Sequence, residues 1–398
     1  MSSSDEEVAL SVGSADWVLR EYEATPPLDE DELPETARHV VANDINADAE
    51  RLAMEWQPDG RVRLRPTQYV GVVSLPNGPT IEIRPKAPET NLLEMLQFSQ
   101  GIRADTIGEE TTIAQGRTFI KAIATLYEAE LQDVLQRGLL REYRESSGTE
   151  EHIRGRLDLQ RQLQRHGPQP TQFECTYDDL TPDVTLNQAI LYATTALLRL
   201  VDTGRVSSAL QRHRQVLQRE VSLRPVRPVE LEQVELSRLE SYYADLFRLT
   251  TLILRGIYAE ELRAGERSSF SLLVDMNKIF EGVVAQAVAE FYSDCGCSVR
   301  AQASSQNLVW GEGRDVSVRP DIVVTRADTV QLVGDAKWKL DASESREPSN
   351  SDVYQLIAYQ VAHDTPGVLF YPEQGAQVAA SYHSHLAHDL EVVEMPTT

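Results

Sequence analysis

The sequence predicts an α+β multidomain protein: a β-rich N-terminal module (1–115), a largely helical middle (116–265) and a C-terminal α/β domain (266–398). Three observations carry this. Apolar residues recur at every second position between Arg61 and Lys86, the spacing of a half-buried strand. They recur at three and four positions in long stretches from Phe119 to Leu262, the spacing of a helix face. From Met276 onward helical and strand-like segments alternate, which builds helices packed on a sheet. The 398 residues exceed what one core ordinarily holds, and 41% of them are hydrophobic, so several cores can be filled.

In chain order, the first fifty residues are acidic and polar, and PPLDEDELPE reads as loop. ADWVLREYE within them has the composition of a strand able to join the following sheet. In RVRLRPTQYVGVVSLPNGPTIEIRPK the turn formers Pro76, Asn77, Gly78 and Pro79 separate two β-forming runs, which predicts a hairpin. The middle offers three helices, FIKAIATLYEAELQDVLQRGLL, NQAILYATTALLRLV and LEQVELSRLESYYADLFRLTTLILRGIYAEEL, with Asp183 or Thr185 as cap of the second and Gly265 as a boundary after the third. The last segment reads as helix (MNKIFEGVVAQAVAEFY), strands (CSVRAQ, VRPDIVVT, TVQLVGDAKWKL), helix (SDVYQLIAYQVAHD) and strand (GVLFY).

No apolar run approaches the length that crosses a bilayer, and the N-terminus lacks a basic stretch before an apolar one, so a soluble, cytoplasmic protein is expected. Cys175, Cys295 and Cys297 are too few for a disulfide framework and read as small buried thiols, the C-x-C pair being a weak metal spacing. The net charge of −24 ordinarily argues against a nucleic-acid partner. Lysine occurs only at 86, 121, 278, 337 and 339 while Asp and Glu number 62, a balance suited to solubility in high salt, so a halophilic source is expected.

The chemistry concentrates in two adjoining strands. In VRPDIVVT the carboxylate of Asp321 interrupts an apolar strand, where a lone charge is costly unless it meets an edge, a partner or a metal. In QLVGDAKWK, Asp335 and Lys337 stand two apart and so share a face, with Ala336 pointing the other way. Two carboxylates and an ammonium together suit phosphodiester hydrolysis, which needs charge neutralisation at the phosphoryl oxygens and a deprotonated water. Mg²⁺ answers both needs. Asp321, Asp335 and the Ala336 carbonyl are its candidate ligands, Lys337 orients water or stabilises the transition state, and Glu281 on the preceding helix is the candidate fourth member.

RPDIVV and GDAKWK, with Asp335 fourteen positions after Asp321, resemble the signature strands of the PD-(D/E)xK nuclease superfamily. That resemblance implies a restriction-endonuclease-like fold for the C-terminal domain and a positioning role for Gln355, which follows Tyr354 on the next helix. LLVDMNKIFEGVV, RPDIVV, GDAKWK and DVYQLIAYQ resemble the McrC family, the nuclease subunits of modification-dependent McrBC restriction systems; so do VGVVSLPNGPTIEIRPK, HIRGRLDL and YDDLTPDVTLNQAIL, from about Tyr69 to about Tyr371. The resemblance implies a DNA endonuclease subunit that docks through its N-terminal module on an McrB-like AAA+ GTPase hexamer and stimulates it. It also implies that the partner recognises methylated cytosine, and that cutting of double-stranded DNA follows when two assemblies meet. This chain has no G-x-x-x-x-G-K-[ST] loop of its own.

Other features carry less. His383, His385 and His388 form H-x-H-x-x-H in a polar stretch where exposed histidines are ordinary. LQRHRQVLQREVSLRPVRP either tracks a phosphate backbone or is a helix surface balanced by Glu, and Arg154 and Arg156 leave the same choice, with the GTPase ring as a further contact. Tyr242, Tyr243, Phe247 and Tyr258 read as core. Two rival functions stand beside the nuclease subunit: a GTPase-stimulating adapter with an inactive centre, and a self-sufficient nuclease of the same superfamily.

Overall fold

The computed structural model describes residues 15–86, 89–102, 119–165, 171–201, 203–259, 270–301, 306–311, 315–338, 347–373, 379–385 and 388–396. The elements begin with β1 (Trp17–Arg20), α1 (Glu35–Val40) continuing into a π turn (Val41–Ile45), β2 (Leu52–Trp56), β3 (Val62–Pro66), β4 (Tyr69–Ser74), β5 (Thr80–Arg84), α2 (Glu89–Ser99) and α3 (Phe119–Arg137). Next come β6 (Glu142–Glu150), β7 (Arg156–Leu157), α4 (Leu159–Arg165), β8 (Phe173–Thr181), α5 (Thr185–Leu200), α6 (Arg205–Leu217), α7 (Pro228–Leu231) and α8 (Ala244–Gly256). The chain closes with β9 (Ile257–Ala259), β10 (Phe270–Asp275), α9 (Met276–Phe291), β11 (Ser298–Ala301), β12 (Gln306–Val309), β13 (Val316–Val318), β14 (Ile322–Arg326), β15 (Thr329–Ala336), α10 (Asn350–His363), β16 (Gly367–Pro372), β17 (Ala380–Tyr382) and β18 (Leu390–Met395). No helix among the described residues is long and apolar enough to cross a membrane.

Two compact units result, one comprising Ser11–Leu126 with Gly256–Thr398, the other built on Tyr127–Arg255. The second lies within the middle segment drawn from the sequence, and the first joins the two outer ones. In the first unit the predicted hairpin forms as β4 and β5, and Trp17–Arg20 adds to β5 in parallel. On the far side β10, some two hundred residues downstream, pairs antiparallel with β4, completing the order β1-β5-β4-β10-β9. Gly71 allows that pairing. It sits at φ +143°, and a Cβ there would lie 1.9 Å from the Leu272 carbonyl oxygen. Leu64, Ile81, Ile83, Val73 and Leu273 close one core over this sheet.

The same unit holds a six-stranded mixed sheet in the order β11-β14-β15-β16-β18-β17. β14 and β15 are antiparallel, and β16 runs parallel to both β15 and β18. The three strands and the helix expected here are present. The sequence reading stopped at GVLFY and missed β18 and β17, which extend the sheet beyond it. Leu356 and Tyr359 of α10 pack on Val333, Leu369 and Val392 of the sheet.

The second unit holds the central helices expected, α5, α6 and α8 among them, together with strands the sequence did not suggest. β6, β8 and β7 form a three-stranded sheet there, with β6 and β8 paired over nine residues each. The third predicted helix is also broken: after α7 and a 3₁₀ turn (Arg238–Tyr243) only Ala244–Gly256 is α-helical, and Ile257–Ala259 turns to strand by pairing with β10. Neither Asp183 nor Thr185 caps α5. Val184 is its N-cap, and Asp183 instead accepts from the Ser222 amide (2.9 Å), the Ser222 hydroxyl (2.7 Å) and Gln188 (2.7 Å). A buried relay holds this unit: Tyr243 donates to Asn187 Oδ1 (3.0 Å) and accepts from the Leu140 amide (2.7 Å), while Asn187 Nδ2 donates to the Leu140 carbonyl (2.9 Å). Tyr243 is core as expected, Tyr242 and Phe247 are half-buried, and the Tyr258 side chain lies outside the described residues.

Candidate functional site

The apolar run Ile322, Val323 and Val324 is buried as β14, and Asp321 sits at the bend just before it, not within the strand as the sequence suggested. The pairing of β14 with β15 ends at Ile322 opposite Gly334. Beyond that point the Asp321 side chain takes the place of a strand neighbour: its Oδ2 accepts the Ala336 amide at 2.9 Å. On the other edge the Lys337 amide donates to the Phe370 carbonyl at 2.9 Å. Gly334 makes room for the aromatic neighbour, since a Cβ would come within 2.8 Å of the Phe370 ring.

Asp335 is the centre of the arrangement. It is 1% exposed, and the Lys337 ammonium lies 2.7 Å from its Oδ2. Yet neither carboxylate oxygen receives a donor in hydrogen-bonding geometry, so the contact is an ion pair and Oδ1 is left bare. Burial lifts the Asp335 carboxyl well above the ordinary range, Lys337 opposes the rise, and the charge of Asp321 adds to it. The two carboxylates are therefore near enough to feel one another's charge.

Lys337 reaches further, donating to Gln355 Oε1 at 3.1 Å, and Gln355 Nε2 donates to the Tyr359 hydroxyl at 2.6 Å. Gln355 and Tyr359 stand one helical turn apart on α10, whose N-cap Ser349 accepts from the Asp352 amide. Burial pushes the Tyr359 phenol up to about 12, and the charges of Asp335, Asp321 and Glu281 add to the shift. Glu281, half-buried on α9, is near enough for its charge to be felt at that phenol. Tyr371 donates to Asp352 at 2.7 Å in the layer behind, and Tyr354 is exposed.

The sequence reading missed Tyr359, although its i+4 spacing from Gln355 was there to be read. It also missed Trp338 and Glu21. The Trp338 indole donates to Glu21 Oε1 at 3.1 Å, a contact spanning 317 positions that no local pattern announces.

The secondary candidates resolve differently. Cys295 and Cys297 are half-buried and joined to each other as a disulfide, a correction to the reading of buried thiols, whereas Cys175 is buried and free. His383 pairs with Asp389 and His388 with Asp364. In the Arg-rich stretch, Arg224 and Arg227 both approach Glu230, and Arg154 pairs with Asp179 over the Tyr177 ring.

Fold and site together define an α+β multidomain protein with an acidic centre where two strands of a mixed sheet end. The model of the McrBC 5-methylcytosine restriction system component family matches residues 64–372. The chain belongs to that family. It is similar to a chain of the refined half-complex from the tetradecameric assembly of Thermococcus gammatolerans McrB AAA+ hexamers with bound McrC, with a TM-score of 0.61 at 19% identity, over 95% of this chain and 94% of that one. At that identity the likeness is one of fold. A chain of the cryo-EM structure of the Thermococcus gammatolerans McrBC complex aligns over 68% of this chain and 86% of that one, with a TM-score of 0.48 at 19% identity. No curated protein matches the chain.

Proposed function

We propose that this chain is the McrC-type, DNA-cleaving subunit of a modification-dependent restriction complex, hydrolysing phosphodiesters with Mg²⁺ at a PD-(D/E)xK centre. The observation that carries the reading is the Asp335 carboxylate, buried at 1% exposure with the Lys337 ammonium 2.7 Å from Oδ2, no donor on Oδ1 and a second carboxylate beside it. Two neighbouring carboxylates against one ammonium leave a net negative charge in a buried place, which is costly unless a further cation completes it. Among the described residues no three His, Cys, Asp or Glu side chains gather into a cage. Mg²⁺ asks for less, because it holds to one or two carboxylates and fills its remaining positions with water and substrate. The donor set of Asp321, Asp335 and the Ala336 carbonyl fits that habit, and Glu281 of α9 acts on the metal through water in this reading.

Bound there, Mg²⁺ supplies charge neutralisation at the phosphoryl oxygens and a water of lowered pKa. The protein's own part falls to Lys337, whose ammonium offers its positive charge to the developing phosphoryl charge, and to Gln355, which orients that ammonium while Tyr359 holds Gln355. Double-stranded DNA is the substrate in this reading. Family membership and the fold shared with a chain from McrB AAA+ hexamers with bound McrC support a partner of the AAA+ GTPase class, with segment 1–115 as the docking module and 266–398 as the nuclease.

The test is reconstitution with the AAA+ partner, GTP, Mg²⁺ and methylated DNA. Asp335→Ala should abolish cleavage and leave stimulation of the partner's GTPase unaltered. Cleavage that survives the substitution overturns the assignment of the centre, and a wild-type chain that stimulates without cutting is the inactive adapter instead. Efficient cutting of plasmid by this chain alone, without GTP, contradicts the subunit reading.

A further inference from the structure

Glu21 lies 3% exposed at the end of β1, over three hundred residues from the acidic centre, yet it touches the strand that carries that centre. Its Oε1 accepts the Trp338 indole N–H at 3.1 Å and its Oε2 accepts the Lys86 amide at 3.0 Å. Trp338 directly follows Lys337, is 4% exposed, and packs its ring 5.6 Å from that of Phe280, the residue before Glu281. One indole thus lies beside both the ammonium-bearing residue and the helix that carries Glu281. That helix begins at Asp275, whose side chain accepts from the Asn277 amide and whose charge reaches Glu21.

The carboxylate is held at a cost. Burial pushes the Glu21 carboxyl up to about 7 against the opposing hydrogen bonds of Lys86 and Trp338, so its charged form is disfavoured there. The backbone beside it carries strain too: Tyr22 takes φ +65°, a conformation unfavourable for a bulky residue, and the Lys86 ammonium sits 4.7 Å from its ring. A buried acid and a strained neighbour retained at the junction of the N-terminal sheet with the D-x-K strand point to a role other than stability.

We propose that Glu21 is a positioning residue which, by gripping the Trp338 indole, sets the backbone from which Lys337 projects and so links the N-terminal sheet to the acidic centre. The inference deepens the nuclease reading and rests on it for its catalytic consequence, but the placement of Lys337 is measurable without activity. Differential acylation of the lysines by acetic anhydride, read by mass spectrometry, reports how enclosed Lys337 is, with Lys121 as internal reference. Trp338 emission, isolated by subtraction of the Trp338→Phe spectrum, reports the indole's surroundings.

In Glu21→Ala, Lys337 acylation should rise at least about threefold relative to Lys121, Trp338 emission should shift, and the turnover of the reconstituted complex should fall about tenfold or more with the DNA concentration for half-maximal rate unchanged. Glu21→Gln keeps an acceptor for the indole and should recover most of each readout, which a general loss of folding would not. If Glu21→Ala does not fold, Trp338→Phe in the intact chain replaces it and should raise Lys337 acylation likewise. Unchanged acylation and emission in a folded Glu21→Ala protein overturns the proposal. A wild-type complex that never cuts, while Glu21→Ala still releases Lys337, refutes the nuclease reading and leaves the positioning role standing.

Discussion

Replacing Lys337 by Met keeps the stem of the side chain and removes its charge, leaving the buried Asp335 carboxylate without its ion-pair partner. Two unit charges 2.7 Å apart attract by about 6 kcal/mol at an effective dielectric constant of about 20. The Lys337 side chain keeps 19% of its exposure, so solvent screens part of that, and about 2–4 kcal/mol of destabilisation is the working expectation where Asp335 is ionised. The cost must depend on pH. Asp335 in the folded chain binds its proton more tightly than an unfolded aspartate does, so its contribution to stability is full below the ordinary carboxylate value and is lost as pH rises through the elevated one. The lysine opposes that rise, so Lys337→Met moves the folded value higher still. At about pH 5 both proteins carry a neutral Asp335 and should differ by under about 1 kcal/mol, whereas at about pH 9 the full penalty should appear. Urea unfolding in EDTA, which keeps any cation from replacing the ammonium, measures both. Equal destabilisation at the two pH values, or a larger one in acid, would falsify the ion pair as the source of the effect.

Cleavage assays over a Mg²⁺ titration separate the roles of two further residues. In the proposed nuclease, Asp321→Ala removes a carboxylate and the acceptor of the Ala336 amide, so its loss of rate should be partly restored by added Mg²⁺, while Lys337→Ala should stay at least about a hundredfold slow at every concentration; full activity of the lysine variant would withdraw the catalytic role proposed for it. Gly71→Ala places a Cβ against the Leu272 carbonyl at a φ alanine avoids, so thermal unfolding should show a loss of at least about 3 kcal/mol, and wild-type stability would mean that β4 and β10 are not so closely joined.

Much of the site could be read from residue types because its logic is local. Asp335 and Lys337 meet because strand residues two apart share a face, and the ordering of RPDIVV before GDAKWK was enough to set Asp321 beside them. What failed to show was non-local or lacked an apolar signature. β6 is mostly exposed, and β8 buries just the adjacent Glu174 and Cys175, so no alternation of apolar and polar residues betrays either strand. Asp183 looked like a helix cap because local pattern cannot see that Ser222 claims both its oxygens. Glu21 read as one residue of a candidate strand, ADWVLREYE, since its particular contact comes wholly from Trp338.

The pairing of β10 with β4 also sets an order of events during synthesis. When Tyr69–Ser74 leaves the ribosome its eventual neighbour Phe270–Asp275 is still some two hundred residues from being made, which at about 5–20 residues per second is a wait of roughly 10–40 s. Through that interval one side of β4 is an open edge, rich in valine, of the kind that invites pairing with another nascent chain. Tyr127–Arg255, emerging meanwhile, has its own core to fold around and need not wait. Premature termination anywhere before Phe270 therefore yields a fragment whose first sheet has no closing strand, and such fragments should be found in inclusion bodies.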